Sequence, residues 1–236
     1  MAPGAPKRRF LIAHKRPLKV IGICLAVAAL AAPMLVVGLS PGGFSNASFS
    51  ALRVLGLMAF TLIFLSILTG AMRPEFYMVY NPSRVYRFHI ATGALGFCLA
   101  LAHGVIVLVT KHYVGHPAVW IVGPVALGLL VVTIWAALDK RRLAVIWRAI
   151  HQINYLIFVA IFIKAVMIGS DVVTVDITSE IMKSLMILYV VLAAGALAVR
   201  MRDYRKMSAR RRSRREVDDG KARTEQETDQ GLPGPL

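Results

Sequence analysis

Four side chains that can ligate a metal or carry a proton fall inside long apolar runs: His89, His103, His151 and Lys164. Ionisable groups are costly within a membrane-spanning helix and are usually there for function. Imidazole is also the commonest metal ligand. His89 and His103 share one run, Arg87–Thr110, and lie fourteen residues apart. On a helix that is a rise of about 21 Å and a rotation to within about 40° of the same face. One face of one helix therefore carries an imidazole near each side of a bilayer. Gly93, Gly96 and Gly104 surround the two rings. Glycine in such helices serves close packing, and it also lets a flat, bulky group lie against the backbone, as two haems stacked across a membrane would require.

His151 opens a second run, WRAIHQINYLIFVAIFIKAVMIGSD, and Lys164 follows thirteen residues later. The two runs are the third and fifth of six, so they cross in the same direction. His89 and His151 then stand at one depth and can ligate one iron from both sides, with the axial positions closed to substrate as electron transfer requires. Lys164 falls at the depth of His103. It either snorkels to the interface or serves a site there, as a propionate partner, a neutral-amine ligand, or part of a proton or quinone site. His112 and His116, four apart on the following loop, are a weak metal signal without further ligands.

The elements that position these groups are read from composition. The chain has 236 residues, 57% of them hydrophobic, too apolar for an ordinary soluble domain. Six runs are long enough to span: about Leu18–Leu39, Ala51–Ala71, Arg87–Thr110, Ala118–Leu138, Ala149–Ile168 and Ile181–Val199. Such runs are helices, because a helix satisfies its own backbone hydrogen bonds in lipid. The fold class expected is an all-α membrane protein, a six-transmembrane-helix bundle. Residues 1–17 form a basic N-terminus, 18–200 the membrane domain, and 201–236 a tail that is first basic, then polar and disordered.

The net charge of +16 is unevenly placed. Lys15, Arg16 and Lys19 stand at the start of the first run; Arg73, Arg84 and Arg87 stand against Glu75 at the second connection; Lys140, Arg141, Arg142 and Arg148 fill the fourth. The first connection is uncharged, and the fifth carries only Asp171, Asp176 and Glu180. The positive-inside rule puts both termini in the cytoplasm of a multi-pass protein of the cell (inner) membrane. The basic tail after the last run fits anionic lipid headgroups and, with Tyr204 its only aromatic residue, does not suggest nucleic acid. Arg8-Arg9 does not have the spacing of a twin-arginine export signal. Cys24 and Cys98 lie inside runs, neither placed for a structural disulfide, and Cys98 reads as a packing residue.

RFHIATGALGFCLALAHG and WRAIHQINYL resemble the ferric reductase-like transmembrane domain, the six-helix haem b core of ferric reductases, NADPH oxidases and the membrane subunit of the periplasmic methionine sulfoxide reductase system. The resemblance covers roughly residues 50–200. It implies an inner haem b on His89 and His151, and an outer ligand at His103. The fourth family histidine is replaced by Lys164, so a second haem is either absent, held by His103 alone or with Lys164, or completed by His112 or His116. Arg53, Arg84, Arg87, Arg148 and Lys164 are the candidates to meet propionates. The residues after Val199 are too few for the flavin and nicotinamide domain of the larger family members. The resemblance therefore implies electrons from a separate flavoprotein or membrane quinol, delivered to an acceptor on the outer side. The competing readings are a transporter or proton relay built on the histidines and Lys164, and a haem-free anchor for a partner.

Overall fold

The computed structural model describes residues 13–41, 43–110, 117–144, 146–168 and 176–230. Arg8, Arg9, His112, His116 and Asp171 lie outside the described residues. The described residues form helices and no strand: α1 (Lys15–Leu39), α2 (Ala47–Ala71), α3 (Arg73–Val79), α4 (Pro82–Thr110), α5 (Pro117–Leu138), α6 (Trp147–Ile168) and α7 (Ile177–Gln230). All but the short α3 are long and apolar enough to cross a membrane. These six include the six runs read from composition. The shortest have 22 residues, about 33 Å of helix, which covers a hydrocarbon core of about 30 Å.

Their outward faces are apolar. Leu39, Val109, Leu138 and Leu156 are each more than 70% exposed. Water does not tolerate apolar surface on this scale, whereas lipid does. Cys24 and Cys98 are free and exposed, so Cys98 does not take the packing place expected of it.

The chain divides into two compact units, ending and beginning at Ala194 and Gly195. In the first, α2 is the most buried helix. It packs most extensively on α4 and also meets α1 and α6, while α5 pairs with α6 and touches α4. Phe60 of α2 stacks on Phe158 of α6 at 4.4 Å, and Phe64 stacks on Tyr189 of α7 at 4.1 Å. Val37, Met182 and Met186 close this core. Local chemistry sets the ends of the helices. Asn46 Oδ1 accepts from the Phe49 amide to cap α2, and Asp176 Oδ1 accepts from the amides of Thr178 and Ser179 at the start of α7. Such caps are each worth about 1 kcal/mol. The Tyr80 hydroxyl, which follows α3, donates to the Lys19 carbonyl at 3.1 Å and lies against Gly22, tying α3 to α1. Burial raises the Tyr80 pKa above its usual value.

The second unit is helical through Gln230, where composition predicts an irregular polar tail. Arg, Lys, Glu and Ala dominate this stretch, and all are strong helix formers.

The three glycines around the histidines play a different part from the one expected. A Cβ on Gly93 would stand 3.0 Å from Ser66 Oγ, one on Gly96 3.1 Å from Leu62 and Ile63, and one on Gly104 3.1 Å from Leu127. They bring α4 against α2 and α5 and leave no broad space beside the backbone. Gly96→Val should therefore lower the melting temperature of the detergent-solubilised chain, by an overpacking cost on the order of 1–3 kcal/mol. Leu95→Ala, on the exposed side of the same helix, should change it little.

Candidate functional site

The site begins with the register of α2 against α4. Gly70 and Gly56 of α2 are fourteen residues apart, as are His89 and His103 of α4. The helices run in opposite directions, so the two pairs meet. A Cβ on Gly70 would lie 3.0 Å from His89 Cε1, and one on Gly56 would lie 2.9 Å from His103 Cε1. Each imidazole lies on a stretch of α2 that only glycine leaves open.

The same spacing recurs in the hydrogen bonds. His89 Nδ1 is 2.8 Å from the Ser66 carbonyl oxygen, and His103 Nδ1 is 3.0 Å from the Leu52 carbonyl oxygen. Ser66 and Leu52 are again fourteen apart. A carbonyl only accepts, so both rings carry their proton on Nδ1. That leaves the Nε2 lone pair of the neutral ring for another partner, the usual way a protein prepares a histidine ligand. Ser66 also clasps His89 in the other direction, its hydroxyl donating to the His89 carbonyl at 3.2 Å. Each such bond contributes about 0.5–1.5 kcal/mol net.

His151 comes from α6. Its ring centroid is 6.2 Å from that of His89, with the planes at 82°. α5 supports it: Thr133 Oγ1 donates to Asn154 Oδ1 at 2.7 Å, and the Asn154 amide nitrogen is 3.4 Å from His151 Nδ1. Trp147 lies one turn earlier, its ring 6.1 Å away. Thus α4 and α6, whose backbones are not closely packed, meet through these two imidazoles.

At the other level, Lys164 Nζ is 2.6 Å from where a Cβ on Gly123 would stand. Structure thus brings His89 to His151, whereas His103 meets Leu52 and Gly56 of α2 and Lys164 meets Gly123 of α5. Arg53 follows Leu52, the residue that accepts from His103, and its guanidinium lies 5.7 Å from the Phe49 ring. Arg84 and Arg87 are exposed on α4. Arg148 is exposed, 5.7 Å over the Trp147 ring. No group of three His, Cys, Asp or Glu side chains able to hold a metal occurs among the described residues.

Sequence reasoning missed Gly56, Gly70, Ser66, Asn154 and Arg73. Arg73 lies with its Cζ 5.7 Å from the ring of Tyr86, three residues before His89 on α4. The matching fourteen-residue spacing on the second and third runs was the signal available for the two glycines.

Comparison with protein-family models, curated proteins and solved structures finds no match to this chain. The geometry makes a direct prediction of its own. In 15N-histidine NMR spectra of the chain in lipid, without added cofactor, His89 and His103 should both be Nδ1–H tautomers. Gly56→Val and Gly70→Val should each shift only the histidine it faces.

Proposed function

We propose that this chain is a haem b-containing transmembrane electron-transfer protein of the ferric reductase-like kind, with its haem held between His89 and His151. One observation carries the reading: two imidazoles from separate helices, 6.2 Å apart and nearly perpendicular. Two metal–nitrogen bonds of about 2.0–2.1 Å, extended back to the ring centres, span roughly 6 Å. The chemistry of the donor set supports it too. A metal held by side chains alone usually takes three or four ligands. Two imidazoles suit an iron whose other four positions belong to a tetrapyrrole.

When bound, the haem supplies one-electron redox chemistry. The chain's own residues do the rest. The Ser66 carbonyl fixes the His89 tautomer and increases the basicity of its Nε2. Gly70 lets the ring lie against α2, and Asn154 steadies His151. His89 and His151 together would hold the group from two helices, an arrangement that would favour electron transfer over binding of a substrate. The His103 level repeats the α4 side of this arrangement, but α6 carries Lys164 in place of a second imidazole, so the haem is assigned to the His89–His151 level. With the positive-inside orientation, this level lies towards the cytoplasm. There a separate flavoprotein or membrane quinol would supply electrons for an acceptor across the membrane.

The chain purified after expression with ample haem should show a reduced b-type spectrum. His89→Ala and His151→Ala should each remove most of it, while His103→Ala retains it. Gly70→Val should weaken haem binding on the order of tenfold or more, as loss of support around a metal ligand does. A colourless wild-type protein under these conditions would overturn the reading.

A further inference from the structure

Arg73 begins α3 directly after α2, the helix that supplies Ser66 and Gly70 to His89. Its Nε is buried and has no hydrogen-bond partner among the described residues. A buried donor left unpaired is costly, and more so when it belongs to a charged group. The guanidinium is held in place: its Cζ lies 5.7 Å from the Tyr86 ring, and Tyr86 precedes His89 by three residues on α4. It therefore belongs to the same face of the bundle as the ligand pair. A positive group whose Nε–H is buried and unpartnered is complementary to an anion, even with Glu75 two residues further along α3.

We infer that Arg73 is the anchor for a carboxylate of the ligand held between His89 and His151, an anionic tetrapyrrole whose acid side chains are turned towards α3. This rests on the function proposed above and adds an orientation to it. A guanidinium fork suits a carboxylate better than an ammonium does. Arg84, Arg87 and Arg148, the arginines that sequence brings to mind for this part, are exposed. Arg73 is the one with a buried, unpartnered donor. As a positioning residue it would meet the edge of the ligand and not the iron, so its removal should alter charge recognition while His89 and His151 still hold the group.

The test uses the full chain in lipid nanodiscs, prepared haem-free and titrated with two probes: iron protoporphyrin IX and its dimethyl ester, which lacks both negative charges. Wild type should bind the free acid about tenfold or more tightly than the diester, since a hydrogen bond to a charged group is worth roughly 1.5–3 kcal/mol. Arg73→Gln should bring the acid down to the affinity of the diester and leave the diester unchanged. Its bis-imidazole spectrum should persist. Arg73→Lys should keep part of the preference, and Arg142→Gln, a change on the exposed α5–α6 connection, should keep all of it. An Arg73→Gln protein with the full wild-type preference overturns the inference. So does a wild type that binds both probes equally, a comparison that needs no variant to fold. A wild type that binds neither probe removes the haem reading itself, and the inference with it.

Discussion

The site depends on one contact made twice: an imidazole of α4 lying on a glycine of α2, with its Nδ1–H given to an α2 carbonyl. Both halves of the contact are dictated by elementary constraints. The carbonyls of Ser66 and Leu52 cannot donate, so they choose the tautomer. The ring atoms come so near the α2 backbone that even a methyl group at position 56 or 70 would crowd them. Because helix geometry repeats almost in phase after fourteen residues, one register between two antiparallel helices satisfies both places at once. The rest of the first unit supports that register. Gly93 and Gly96 let the helices approach, and the Phe60, Phe64, Phe158 and Tyr189 stack holds α2 against α6 and α7.

Much of this could be read from the amino acids. Apolar runs of spanning length predict six helices without reference to any partner, because backbone hydrogen bonding in lipid leaves a chain few alternatives. The pairing of His89 with His151 also follows from counting crossings, since equal depth on two helices of the same direction is a one-dimensional property. What counting cannot supply is azimuth. The face each glycine presents depends on which neighbour packs there, so Gly93, Gly96 and Gly104 read as room beside the histidines when they are in fact contact points for α2 and α5. Gly56 and Gly70 pass unnoticed for the same reason: their importance lies in a helix that carries no titratable group at those positions.

The arginines illustrate the same limit. Arg84 and Arg87 draw notice because they neighbour His89 in the chain, yet a helix turns them outward. Arg73 lies sixteen positions before His89, and the break between α2 and α3 places it against Tyr86. Proximity in a bundle comes from the turn between helices, which local sequence encodes only weakly. The tail shows a different failure. Its polarity suggests an unstructured chain, whereas α7 continues to Gln230 through a stretch whose Arg, Lys, Glu and Ala favour a helix.

His103 owes its position and its proton entirely to α2 and α4, and α6 contributes only whatever stands opposite. Residue 164 stands on α6 and meets α5 at Gly123, apart from the helix pair that holds the His103 ring. Such a division of labour, with one half built by a helix pair and the other supplied by a single side chain, lets a membrane protein trade one ligand chemistry for another while its fold stands still.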